Sequence, residues 1–171
     1  AYAIGDFVRF TGVFPHRIEF AGRAAGMLSV TQELMTALEI ERAVSVASDH
    51  EASTVLEFSA AADVGVDGSA KGRYLLFVEF ENEPDDLGGF ARAFDKELCA
   101  QNRVYREHRA NDVAILAPVV VPLVRGGSRR FMEAIGQNSL QQKFPRIADD
   151  RKRDLLRSFA RSVNNADQRS T

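Results

Sequence analysis

Cysteine, strong charge of one sign and long apolar runs are what this 171-residue sequence has least of. A single cysteine, Cys99, can form no internal disulfide, which fits a reducing, cytoplasmic setting. A net charge of −2 gives no electropositive surface for a polyanion, so nucleic acid is not an expected partner. No apolar stretch approaches the roughly 18–20 residues that cross a bilayer. The N-terminus lacks the charged-then-apolar pattern of a secretory signal. There is no glycine-rich loop ending in Gly-Lys-Ser/Thr, no Gly-x-Ser-x-Gly elbow and no zinc-ligand spacing. His16, His50 and His108 are scattered, without a nucleophile beside them. The sequence also lacks an initiator methionine and opens on strand-like residues, AYAIGDFVRF. Domains seldom begin in mid-strand, so the expectation is the C-terminal piece of a longer protein.

What is present suits a soluble globular chain: 45% apolar and 27% charged residues. The length suits one domain, or one domain with a fragment of another, at roughly 150 residues per domain. Residues 2–10 and 17–22 read as a β-hairpin around Thr11-Gly12 and Pro15. Residues 27–30 are a short strand candidate. Thr36 and Glu39 form a capping box that opens a helix, with Ile40, Ala43, Val44 and Ala47 at helical spacing. Residues 53–62 predict a strand, and 73–80 the strongest strand of the chain. Both faces of that second strand are apolar, which predicts a central position covered by helices. A long helix is predicted over 86–109, with Leu87, Phe90, Phe94, Leu98 and Tyr105 in its buried stripe. A strand with two prolines follows at 114–124, confined by them to an edge or a bulge. Then come a short helix capped by Ser128, a loop at 137–147 and a charged helix over 149–163.

The order β-α-β-β-α-β predicts an α+β fold of the ferredoxin-like, split β-α-β type. Its antiparallel or mixed sheet would carry helices on one face. The preceding hairpin, residues 1–22, would be the end of a larger domain, and 23–171 a small mobile one.

Three residues are candidates for chemistry. Asp6 follows Gly5 at a strand where backbone can approach a ligand, and its carboxylate could accept two ribose hydroxyls. Arg23, at the end of the second hairpin arm, could reach a ribose or phosphate with its fork of donors. Lys143 sits in QQKFPR, where Pro145 restrains Phe144 to an extended conformation. A rigid loop presenting one lysine can set positive charge against a transferring phosphate. On spacing alone the plainer readings are a turn aspartate, a strand-end arginine and a solvated loop lysine. Cys99 lies one residue beyond the apolar stripe and reads as a small half-buried residue.

The motifs YAIGDFVRFTG, IEFAGR, MLSVTQEL-T, RYLLFVEFE, DKELCAQNRVYREHR and QQKFPR occur in an order that resembles the acyl acid amido synthetases. These are the auxin-responsive Gretchen Hagen family of the adenylate-forming superfamily, and the resemblance, over roughly residues 2–147, is to their C-terminal end. It implies a two-step ligase using ATP and Mg²⁺. An acyl carboxylate attacks the α-phosphate of ATP, giving an acyl-adenylate and pyrophosphate; an amine, usually of an amino acid, then displaces AMP to form an amide. It also implies a small domain that rotates between the two steps against its own N-terminal adenylating domain. That domain would hold Mg²⁺, the acyl pocket and most of the nucleotide, in about 350 further residues. By the same resemblance Asp6 would hold the ribose, Arg23 would support ribose or phosphate, and Lys143 would steady the phosphates. The chain departs from the pattern at Gln32-Glu33-Leu34, where many relatives read Gly-Glu-Lys. A second function class also suits the sequence: a non-catalytic ferredoxin-like module for ligand sensing or oligomerisation. In the ligase reading the aromatic hairpin residues Phe7, Phe10, Phe14 and Phe20 would pack on the larger domain, and in its absence they would form a patch through which this chain could dimerise.

Overall fold

Strand β6, Gly72–Asn82, is the axis of the structure, a computed structural model that describes residues 6–23, 26–65, 68, 70–137 and 143–160. Every residue from Tyr74 to Phe80 is buried, as two apolar faces require. Before it come strands β1 (Asp6–Val13), β2 (His16–Arg23), β3 (Met27–Leu28) and β4 (Met35–Thr36), helix α1 (Ala37–His50) and strand β5 (Thr54–Val64). After it come helices α2 (Leu87–Gln101) and α3 (Arg103–Arg109), strand β7 (Val119–Pro122), helix α4 (Gly127–Ala134), strand β8 (Ile147–Ala148) and helix α5 (Asp150–Arg157).

The main sheet has the order β7-β6-β5-β8. β5 and β6 pair antiparallel, whereas β7 runs parallel to β6 and β8 parallel to β5. Alternation along β6 divides the core. Tyr74, Leu76, Val78 and Phe80 face α1, α2 and α3, meeting Ile40, Val44, Phe90, Phe94, Leu98 and Tyr105. Leu75 and Phe77 point the other way, toward Leu123, Phe131, Met132, Phe144 and Leu156. The fold is therefore α+β with a mixed sheet, as the sequence order predicts. Helical cover extends further than one face, because α4 and α5 add their own apolar residues beneath the second.

Local chemistry explains most element ends. Thr36 and Glu39 form the predicted capping box, the Glu39 N–H donating to Thr36 Oγ1 at 3.2 Å and the Thr36 N–H to Glu39 Oε2 at 2.8 Å. Such a cap stabilises a helix by about 1 kcal/mol. Gly88-Gly89 weakens the start of α2 by about 1 kcal/mol per glycine, but burial of Phe90, Phe94 and Leu98 contributes about 1.5–3 kcal/mol each and prevails. Gly89 also has a steric reason to be there. A β-carbon on it would lie 2.3 Å from Glu51 Oε1, where the end of α1 meets α2.

Four departures from the sequence reading have tertiary causes. The single helix expected over 86–109 breaks at Asn102, whose backbone is extended. Its backbone keeps the bonds to Leu98 O and from the Arg106 N–H, while its side chain caps α3 by accepting from the Tyr105 N–H at 3.0 Å and donates to Glu33 O at 2.9 Å. The strand expected at 27–30 shortens to Met27–Leu28 and pairs with β4 in a separate two-stranded sheet. Residues 114–124 contribute only Val119–Pro122 to the main sheet, at its edge, with a bridge from Ile115 to Gly72. The loop expected at 137–147 closes with β8, drawn to the edge of β5 by the Ala60 N–H bonding Arg146 O at 2.9 Å. The helix expected over 149–163 ends at Arg157, and Ala160 forms a bridge with Leu123; its expected end at Val163 lies outside the described residues.

Candidate functional site

Asp6 and Arg23 are brought together. They are register partners across the antiparallel β1–β2 hairpin, at its open end. The far end of the hairpin is apolar and exposed: Phe10 (64%), Val13 (78%), Phe14 (97%) and Ile18 (62%) face outward.

Between hairpin and α1 lies a turn whose organiser the sequence reading missed. Glu33 is buried. Its carboxylate accepts from the Val30 N–H at 2.6 Å, the Thr31 N–H at 2.7 Å and the Tyr74 hydroxyl at 2.5 Å. Thr31 Oγ1 adds a bond to Glu33 Oε2 at 3.1 Å and stands 2.6 Å from His108 Nδ1. Burial, then the charge of Glu33, push the Tyr74 hydroxyl far above its ordinary range, so it remains a donor. Gly72 lets this knot reach the sheet, since a β-carbon there would meet Val30 Cγ1 at 2.6 Å. The flanking residues take left-handed backbone, Gln32 at φ 78° and Leu34 at φ 49°. That conformation favours glycine over either side chain. Leu34, where the pattern has lysine, is exposed. A glutamate close behind Ser29 and Thr31 was the available signal, because hydroxyl and N–H donors in a tight turn invite one acceptor.

Lys143 lies on another sheet's approach, in the segment entering β8. It is exposed and forms no ion pair among the described residues. Its neighbours are fixed. Phe144 is buried and meets Phe131 edge-to-face, the ring centroids 5.5 Å apart. Arg146 donates to Glu57 Oε2 at 2.6 Å, lies over the Phe58 ring at 4.4 Å from its centroid, and has Glu41 within 3.9 Å. The result is an exposed cation on a segment anchored in both halves of the core.

Other polar groups serve the fold. Glu79 accepts from the Gly126 and Ser128 N–H groups at 2.6 and 3.0 Å and from Ser128 Oγ at 2.6 Å. Burial opposes its charge, but these bonds outweigh burial and hold its carboxyl below the ordinary range. Burial, then the charge of Asp95, push the Cys99 thiol up, which keeps it protonated and unreactive. An open cleft of about 410 Å³ between α1 and α2 includes His50, Glu51, Arg92, Lys96 and Glu97. Most of its charges are already paired, with His50 on Glu51 and Arg92 on Asp86. None of the sequence-predicted residues reaches it.

Comparison with known proteins locates this arrangement. The family model described as the GH3 family C-terminal domain matches residues 38–152, well over half of the chain. Among 27 similar chains of solved structure are two of an acyl acid amido synthetase. One, titled GH3.15 acyl acid amido synthetase, is 21% identical with a TM-score of 0.69. The other, AtGH3.15 acyl acid amido synthetase in complex with 2,4-DB, is 20% identical with a TM-score of 0.67. Each alignment covers 93% of this chain but only 30% of the solved one, so the likeness is of fold and of one part of a longer protein. No curated protein matches.

Proposed function

This chain belongs to the GH3 family as its C-terminal domain, and from that premise we propose that it serves as the small, mobile domain of an acyl acid amido synthetase. The carboxylate of a small organic acid attacks the α-phosphate of ATP, forming an acyl-adenylate and releasing pyrophosphate. The amine of an amino acid or similar nucleophile then attacks the acyl carbon, an amide bond forms and AMP leaves. The observation that carries this reading is Lys143, exposed and without an ionic partner among the described residues, on a segment held by Phe144 and Arg146. A pre-positioned cation stabilises the charge that develops on the phosphates without reorganising when the reaction occurs.

Asp6 and Arg23 bind the nucleotide in this reading, the carboxylate on the ribose hydroxyls and the guanidinium on ribose or phosphate. Their cross-strand pairing supports a shared ligand. The hairpin through residue 22 belongs to the adenylating domain, and the chain from residue 23 swivels against it. In this reading Mg²⁺ is bound by that other domain. With lysine absent at Leu34, Lys143 is the phosphate-directed lysine that remains. A cytoplasmic setting accompanies the reading; among the described residues no helix is long and apolar enough to cross a membrane.

ATP–pyrophosphate exchange by the full-length protein, over a panel of aryl and fatty acids, tests it. Exchange with at least one acid is expected, and Lys143→Ala lowers kcat about 10²-fold, the effect of removing one charge-stabilising group. The isolated 171 residues release no pyrophosphate. Exchange unchanged by both the Asp6 and the Lys143 substitution removes the site assignment. A full-length protein silent toward every acid favours the sensing or oligomerisation module instead.

A further inference from the structure

The segment around Lys143 contains a second cation, Arg146, which cannot do the same work. Its Nη1 is 2.6 Å from Glu57 Oε2 and 3.4 Å from Phe58 O. Its guanidinium carbon lies over the Phe58 ring, and Glu41 of α1 is within 3.9 Å of Nε. Its own carbonyl accepts the Ala60 N–H at 2.9 Å. Two carboxylates and an aromatic face therefore already surround the charge, and a phosphate would have to displace them. An arginine held by fork, ring and backbone together has little freedom left, unlike an ordinary surface pair.

Lys143 stands three residues away, with Phe144 buried against Phe131 between them. The backbone beside the lysine is thus tied to β5 and α1 by Arg146 and to the α4 side of the core by Phe144. We propose that Arg146, clamped by Glu57 and the Phe58 ring, is a positioning residue that sets the Lys143 ammonium against the nucleotide phosphates. The inference rests on the adenylation reading above and deepens it: the two cations of one short motif divide the work, one for chemistry and one for placement. The link to Glu41 also makes α1 part of the frame that carries the lysine.

A double-mutant cycle in the full-length protein, read by ATP–pyrophosphate exchange, tests the proposal. Arg146→Ala is expected to lower kcat about tenfold or more with little change in the KM for ATP, because misplacement of a catalytic group by even an ångström is costly. In a Lys143→Ala background the same change should have almost no further effect, since the group it positions is gone. Glu57→Gln should reproduce part of the loss, and it carries the cycle if Arg146→Ala does not fold. Arg146→Lys, which keeps charge without fork or planar stacking, should rescue poorly. Thermal midpoints taken on every variant separate positioning from unfolding. If the unsubstituted protein shows no exchange with any acid, the adenylation reading fails and takes the proposal with it; if exchange occurs but Lys143→Ala leaves it unchanged, adenylation stands while the role of Lys143, and with it the positioning role of Arg146, is overturned. If Lys143→Ala is damaging but the Arg146 and Glu57 losses are the same in both backgrounds, the adenylation reading stands and the positioning role is overturned.

Discussion

Glu33 and Lys143 carry opposite charges in opposite circumstances. The glutamate is buried, and donors from Val30, Thr31 and Tyr74 converge on its carboxylate. The lysine is exposed with no ionic partner among the described residues, although the residues beside it are tightly held. A buried charge surrounded by donors organises structure and is closed to a ligand. An exposed charge on a rigid support adds little to stability and stays available for chemistry. Tertiary environment separates the two roles, since both residues sit in short irregular segments.

The sharpest way to break this comparison is to remove each charge and measure both stability and activity. Glu33→Ala should destabilise the protein by about 3 kcal/mol, because two backbone N–H groups and the Tyr74 hydroxyl lose their acceptor in the interior. Lys143→Ala should shift stability by less than about 0.5 kcal/mol. Urea unfolding of both variants reads the difference directly, and equal destabilisation would erase the distinction.

A second buried acid extends the comparison to pH. The folded-state pKa of Glu79 lies below the ordinary 4.5 of a glutamate. Its ionised form is therefore favoured in the folded protein. The stability it contributes is full above the unfolded pKa and is lost as pH falls through the folded one. Glu79→Gln should flatten the acid limb of the stability profile below about pH 4.5 and cost about 1 kcal/mol at neutral pH. A limb identical to that of the unsubstituted protein would count against the carboxylate's role at Gly126 and Ser128.

The hairpin gives the next effect. Phe10 and Phe14 are open to solvent in the isolated chain, so it should self-associate through that surface at high concentration. Sedimentation should show the shift toward dimer, and Phe14→Ser should reduce it; a monomer at all concentrations would remove the idea. A small gain is expected at Gln32. Its left-handed backbone suits glycine, and Gln32→Gly should stabilise by about 0.5 kcal/mol, the relief of strain slightly exceeding the entropy cost.

The parts of the fold legible in the sequence were those governed by neighbours along the chain. The capping box at Thr36 and Glu39, the stripe of α1 and the two apolar faces of β6 all lie within a few residues of their cause. Asp6, Arg23 and Lys143 could be singled out as candidates, and the rigidity expected of the lysine segment is present in Phe144 and Arg146. The break at Asn102 was not legible, because its compensation comes partly from Glu33, 69 residues earlier. Nor was β8, which exists only because β5 presents an unpaired edge.

By itself, then, the sequence determined the local periodicities, the helix start at Thr36, the central strand and the set of residues from which a site could be built. Only the tertiary structure decided that Glu33 is interior, that Arg146 is already held, that Asp6 and Arg23 are register partners, and that α4 and α5 close the second face of the sheet. The physical reason is range. Periodicity and capping act over one or two turns of chain, whereas burial of a charge and pairing at a sheet edge depend on groups that only the folded backbone brings together.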